Sequence, residues 1–381
     1  MKCSVYAKIS SMDKRRKICY DVLMKKIEIN SRHTAQIIDY SADGAGIAKL
    51  DGCVVFVDGA VRGDACEIII TKALSRVCHA RIERIIEPSN HRIPVDCAVF
   101  GSCGGCDFRH ISYEEELYAK RKRVNDTLKR IGGVSIEVED ILTTGKINGY
   151  RNNIQLKTDG KKVGFYSGKS HEIVQIDRCL LVNDEMNNAI KQGQTRIRTS
   201  RETIGDLTFK ISPEAFFQVN TEAAFLLYEK AREYADLKPH EFLFDLYCGT
   251  GTIALYLGRD AGKALGVELC AAAVADAKEN TLLNNIPNVS FLCADAADFE
   301  ADGMKPDCIV VDPPRKGLAP EALQKIAKLA PPRIIYISCD PATLARDIKL
   351  LQSYEVARVC AVDMFPRTKH VESVAKLIKT K

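Results

Sequence analysis

Glu241-Phe-Leu-Phe-Asp-Leu-Tyr-Cys-Gly-Thr-Gly-Thr252 is an apolar run that stops abruptly in a glycine-rich turn. A buried strand followed by glycines that open a helix is the first half of a βαβ unit. The same rhythm continues downstream. Apolar runs at 241–247, 264–268, 289–293, 308–311 and 333–338 read as strands, and helical stretches near 252–258, 270–283, 319–330 and 341–352 fall between them. Runs at 356–364 and 371–378 have only a short connection and should pair antiparallel. The spacing predicts an α/β fold with an open, doubly wound, Rossmann-like sheet over 206–381.

Upstream the pattern changes. Between residues 32 and 90, five short β-branched runs alternate with Asp-Gly turns at 43–44, 51–52 and 58–59, which predicts a small β-barrel of the oligonucleotide-binding type. Residues 91–205 form an irregular region with clustered cysteines, expected to be a separate central domain. Residues 1–31 read as a basic leader lacking regular structure.

Hydrophobic residues make up 46% and charged residues 28% of the 381, the profile of a chain with a proper core. No apolar run approaches the ~18 residues that span a bilayer, and the first residues lack the apolar stretch of a secretory signal. A cytoplasmic protein with no membrane partner is expected, a monomer whose 15 cysteines stay reduced. The net charge of +5 arises within residues 1–30, which hold eight Lys/Arg against three Asp/Glu; the other 351 residues balance at 47 against 47. Charge alone therefore gives no case for a nucleic-acid partner.

In open α/β sheets, ligands bind beyond the carboxyl ends of the strands, and those ends hold most of the chemistry here. They carry Tyr247-Cys-Gly-Thr-Gly-Thr252, Glu268, Asp295, Asp312-Pro-Pro-Arg315 and Ser338-Cys-Asp-Pro341. Gly249-x-Gly251-x-x-Ala254 also fits a dinucleotide fingerprint, so a nicotinamide enzyme is a competing reading. Cys97-x5-Cys103-x2-Cys106 with the distant Cys179 supplies four thiols whose spacing permits zinc or an iron–sulfur cluster. Lys120-Arg-Lys-Arg123 with Lys129-Arg130 sets six positive charges against Asp126, enough to grip phosphates or to form a solvated helix face.

Taken together, several motifs are identifying. Asp245-Leu-Tyr-Cys-Gly-Thr-Gly, Asp312-Pro-Pro-Arg-Lys-Gly-Leu, Ile337-Ser-Cys-Asp-Pro-Ala-Thr-Leu-Ala-Arg-Asp and Met364-Phe-Pro-Arg-Thr-Lys-His-Val-Glu resemble the S-adenosylmethionine-dependent RNA uracil-C5 methyltransferases. Phe216-Phe-Gln-Val-Asn, Gly149-Tyr-Arg-Asn and Cys103-Gly-Gly-Cys extend the match, which covers about residues 32–381. The resemblance points to the bacterial group acting on 23S ribosomal RNA, with an N-terminal TRAM domain over 32–90. It implies methylation of a specific uridine by S-adenosyl-L-methionine, through Cys339 as nucleophile and Glu372 as general base, with His370 the rival base. Gln218, Tyr247, Thr252, Glu268, Asp295 and Asp312 should line the cofactor site. Many relatives have Asn where this chain has Thr252. Phe216 and Phe217 are candidates to stack on a flipped base, with core packing expected for at least one. Cys97, Cys103, Cys106 and Cys179 should hold a 4Fe-4S cluster. A transfer-RNA uracil methyltransferase is the nearest alternative, and a non-catalytic RNA-binding or assembly protein the alternative from another class.

Overall fold

Alternating apolar and polar residues dominate the first part of the chain, and they form strands there. The computed structural model describes residues 27–213, 215–299 and 303–380; the basic leader therefore lies almost wholly outside the described residues. These residues fall into two compact units.

The first unit, up to Asp96 plus Phe108–Ser112, is built on β1 (Arg32–Gln36), β2 (Asp39–Tyr40), β3 (Gly46–Leu50), β4 (Cys53–Asp58), β5 (Ala65–Ala73) and β6 (Val77–Glu87). They form one sheet in the order β1-β5-β6-β4-β3-β2, in which only β4 and β6 run parallel. Ile37, Ala48, Val55, Val57, Ile68 and Ile70 fill its concave side, joined by Ile27. A Cβ on Gly46 would sit 2.8 Å from both Ala60 and Ile37, so the sheet can curl tightly only with glycine there. The curl stops short of the expected barrel. No ladder joins the outer strands β1 and β2, which follow one another in the chain and pair instead with β5 and β3.

The second unit contains residues 97–107 and 113–380. The cysteine-bearing segment is part of this unit, so the expected separate cysteine-cluster domain is corrected. Helix α1 (Tyr113–Thr127) runs into a π-turn at Leu128–Gly132, which ends on Gly133 at φ 68°. Next come β7 (Ile141–Leu142), β8 (Asn153–Gln155), β9 (Lys157–Thr158), β10 (Val163–Tyr166), β11 (Ile173–Gln175), α2 (Asp184–Lys191), β12 (Arg196–Arg198), β13 (Arg201–Ile204) and β14 (Leu207–Lys210).

Helix α3 (Thr221–Ala235) starts where the Asn220 side chain accepts from the Ala223 amide, and it buries Ala223, Ala224, Leu227, Tyr228, Ala231 and Tyr234. The catalytic-type core follows: β15 (Phe242–Leu246), α4 (Thr252–Gly258), β16 (Lys263–Glu268), α5 (Ala271–Leu283), β17 (Val289–Cys293), β18 (Cys308–Val311), α6 (Pro320–Leu329), β19 (Arg333–Ser338), α7 (Pro341–Leu350), β20 (Tyr354–Val362) and β21 (Glu372–Lys379). The sheet order is β17-β16-β15-β18-β19-β21-β20-β7, parallel from β17 to β19 and antiparallel through β21.

Strand residues alternate between two cores, as a sheet covered on both faces requires. Leu243, Val310, Ile335 and Ile337 meet α3, α4 and α5; Phe244, Ile309, Val311, Ile334 and Tyr336 meet α1, α6 and α7. Strand order reverses at β15, with β16 on one side and β18 on the other. That reversal opens a crevice at the carboxyl edge. Among the described residues no helix is long and apolar enough to cross a membrane.

Candidate active site

The turn after β15 is shaped by three positive φ angles: Tyr247 at 72°, Gly249 at 53° and Gly251 at 81°. A side chain on Gly251 would also lie 2.6 Å from the Phe291 ring, so glycine is required there twice over. The loop is held open by Glu268 at the end of β16. Its carboxylate accepts from the Gly249 amide at 3.1 Å and from the Cys270 amide at 2.8 Å. Asp295, exposed beyond β17, accepts from the Ala297 amide at 2.9 Å. Burial, followed by Asp295 and Asp347, pushes the Tyr247 phenol up to about 12. Thr252 is buried, and its hydroxyl shares a 3.0 Å hydrogen bond with that of Tyr228.

Asp245 lies beneath this turn, fully buried. Burial, then Asp312 and Glu268, holds its carboxyl well above the usual range. A glycine cradle, an acid at the end of β16 and an underlying buried carboxyl suit a ligand that combines ribose hydroxyls with positive charge.

The reacting end lies on the other side of the switch point. The β19–β21 ladder ends with Ser338 opposite Ser373, which sets Cys339, just beyond β19, beside Glu372, the first residue of β21. The Cys339 thiol is half-buried and pushed up to about 12, by burial first and then by Glu372 and Asp312, with Arg315 opposing. Glu372 is 3% exposed and its Oε2 lacks a hydrogen-bond partner among the described residues. Burial, then Asp312, holds its carboxyl well above the usual range, and Arg315 opposes here too. Burial also pushes Asp312 up to about 7, and Gln218 donates to it at 3.4 Å. The structure thus brings together Cys339, Glu372, Asp312 and Gln218, with Glu268, Tyr247 and Thr252 around the glycine turn. Arg315, missed by sequence reasoning, bears on both the thiol and Glu372. Its signal was present, since it directly follows the Asp-Pro-Pro loop.

His370 is held neutral, pushed down to about 4 by burial and then by Arg315, Lys369, Arg123 and Lys120. A group so weakly basic is a poor proton acceptor beside a carboxylate. Phe217 is buried against Phe209, with ring centroids 6.2 Å apart, whereas Phe216 is 70% exposed.

One expectation is corrected by the geometry. Among the described residues, no group of three or more His, Cys, Asp or Glu is arranged to hold a metal ion, so the 4Fe-4S cluster on Cys97, Cys103, Cys106 and Cys179 is not supported. Close spacing in sequence does not by itself build a metal site. Cys103 interacts with Cys179 and Cys97, while Cys106 bears on the Tyr150 phenol, and Cys179 arrives on a separate turn pinned by Asn187. None of the four is joined in a disulfide. Most of the basic helix face is already engaged: Lys120 is buried, Arg121 and Arg123 donate to backbone carbonyls, and Lys122 and Arg130 pair with Asp126. A phosphate would have to compete with those partners.

The fold and the edge chemistry define a Rossmann-like methyltransferase, and comparison with known proteins agrees. The family model for tRNA (uracil-5-)-methyltransferases matches residues 199–306 and 296–380. An uncharacterized RNA methyltransferase of Clostridium tetani is 34% identical, over 93% of this chain and 97% of its own. One from Halalkalibacterium halodurans is 33% identical over 90% and 95%. The crystal structure of Pyrococcus abyssi tRNA (uracil-54, C5)-methyltransferase with S-adenosyl-L-homocysteine superposes with a TM-score of 0.72 at 26% identity, covering 91% of this chain and all of that one.

The chain belongs to the S-adenosylmethionine-dependent RNA uracil-C5 methyltransferases, and it transfers a methyl group to carbon 5 of uridine in RNA. The expected membership of the 23S ribosomal group, with TRAM domain and iron–sulfur cluster, is corrected: the matching family model and the superposed structure are both of tRNA enzymes.

Proposed function

We propose that the substrate is transfer RNA and that the product is 5-methyluridine within it. The observation carrying this reading is the likeness to the Pyrococcus tRNA enzyme, which extends over nine-tenths of the chain and so includes far more than the shared methyltransferase core. Bound S-adenosylmethionine supplies a methyl group made electrophilic by a sulfonium. Gly249, Gly251 and Glu268 would hold its nucleoside end, with Tyr247, Thr252 and Asp295 around them. Gln218 and Asp312 would face the reacting end.

Carbon 5 of uracil is a poor nucleophile until an electron pair enters the ring. Cys339 Sγ supplies that pair by bonding to carbon 6 as the thiolate, its proton passing to solvent or a neighbouring carboxylate. Electron density released at carbon 5 then takes the methyl group, leaving S-adenosylhomocysteine. Glu372 removes the remaining proton from carbon 5. The carbon 6–sulfur bond breaks with its electrons returning to Cys339, and aromaticity is restored. Both the thiol and Glu372 must therefore ionise in the loaded site, although burial and mutual repulsion oppose this in the free protein. A bound sulfonium and Arg315 are the positive charges that favour ionisation. The target base must also leave its stack, at a cost of a few kcal/mol, and Phe216 is the exposed ring available to cover it.

The test is incubation with methyl-labelled cofactor and total RNA from a strain lacking the gene, followed by separation of RNA classes and nucleoside mapping. Label in transfer RNA as 5-methyluridine is expected. Label confined to ribosomal RNA would contradict the reading.

A further inference from the structure

Lys120 is 1% exposed, yet nothing in the chemistry above uses it. It extends from α1 into the turn between β20 and β21, the segment that delivers Glu372. Its Nζ donates to Asp363 Oδ1 at 2.6 Å, to the Phe365 carbonyl at 3.0 Å and to Glu116 Oε1 at 2.7 Å. The same Glu116 oxygen accepts from the Arg367 amide at 2.7 Å, and Tyr113 donates to the other oxygen of Asp363 at 2.7 Å. One ammonium thus ties the start of the turn, its middle and, through Glu116, its far side.

The rest of the turn is equally occupied. The carbonyls of Met364, Pro366, Arg367 and Lys369 accept from Asn220 at 3.1 Å, Tyr150 at 3.0 Å, the Asp107 amide at 2.9 Å and Arg123 at 2.9 Å. Arg367 itself sits at φ 69°, a conformation that needs outside support. A buried ion cluster contributes little net stability, because desolvation offsets most of the attraction. Its value is directional: three donor vectors on one nitrogen fix where the backbone runs.

We propose that Lys120 is a positioning residue, holding the β20–β21 turn so that Glu372 meets the carbon 5 proton of the adduct. The proposal rests on Glu372 being the base. Methyl transfer to carbon 5 precedes the step that Glu372 performs, so a misplaced base leaves the methylated RNA attached to Cys339. A merely structural lysine would instead lower attachment and turnover together.

The full chain is incubated with methyl-labelled S-adenosylmethionine and total RNA from a strain lacking the gene. Label is then divided by denaturing gel into protein-linked and free RNA. Glu372→Gln is expected to leave most label protein-linked. Lys120→Met should lower kcat by roughly 10- to 100-fold, with KM for RNA nearly unchanged and a raised protein-linked fraction. Lys120→Arg, which keeps charge and donors, should recover part of the rate. Cofactor binding by calorimetry reports whether each variant is folded; if Lys120→Met is not, the near-isosteric Asp363→Asn takes its place with the same expected signature. A slower variant without extra protein-linked label, beside a Glu372→Gln that accumulates it, overturns the positioning role alone. No accumulation in Glu372→Gln overturns the base assignment, and the proposal with it.

Discussion

Cys339→Ala is expected to abolish methyl transfer, by at least about 10³-fold, while cofactor affinity stays within a few-fold. Without a thiolate at carbon 6, carbon 5 has no electron pair to offer. Among the described residues, the other thiols of this sheet's core and turn, Cys248, Cys308 and Cys360, are buried. The half-buried thiol contributes little to packing, so the melting temperature should be almost unchanged. Reactivity should also report its surroundings. With the thiol pushed up to about 12, the thiolate fraction of the free protein is minute at neutral pH. Alkylation of Cys339 should therefore climb throughout pH 7 to 10 without a plateau. A plateau near pH 8 would mean that the free site already stabilises the anion.

Glu372→Gln is the second variant with a large expected effect, and its two consequences have opposite signs. Turnover should fall by roughly 10²- to 10⁴-fold, the usual worth of a positioned base, and methylated RNA should remain covalently attached to the protein. Stability should rise. A carboxyl whose folded pKa lies above its unfolded value binds more protons in the folded state. It therefore makes the protein less stable as pH rises from about 4 upward through the folded pKa. Glu372 is such a group, and Asp312, pushed up to about 7, is another. At pH 8 the neutral amide should stabilise the fold by about 1–2 kcal/mol, and the gain should shrink near pH 5. Urea unfolding at the two pH values checks this. A variant less stable than the parent at pH 8 would mean that the ionised Glu372 has a partner in the folded state.

The α/β core was legible because its strands are apolar and its chemistry is confined to their ends. Glu268, Asp312 and Cys339 stand out in sequence for that reason alone. Helix α3 was overlooked although Ala223, Ala224, Leu227, Tyr228, Ala231 and Tyr234 follow the helical period; short alanine-rich positions make a weak apolar stripe. The pairing of β7 with β20 could not be read, since two residues carry no periodic signal.

The misreadings share a cause. Lys120 looked like a phosphate contact because its partner Asp363 lies 243 positions away, and only the fold brings them together. The cysteine spacing resembled a ligand set because local sequence says nothing about where sulfurs point. Thr252 also shares a hydrogen bond with Tyr228 of α3, a contact between distant segments that no sequence pattern announces. The small N-terminal sheet has six strands where five runs were expected, because the first run divides into β1 and β2, and those two outer strands are not joined by a ladder.

The central claim is a covalent bond between Cys339 sulfur and carbon 6 of the target uracil. RNA carrying 5-fluorouridine at the target tests it most directly, because fluorine cannot be removed as a proton and the adduct cannot resolve. With S-adenosylmethionine present, a denaturation-resistant protein–RNA species is predicted, its cross-linked peptide containing Cys339. Absence of that species with active protein, or its attachment through a different residue, would contradict the account.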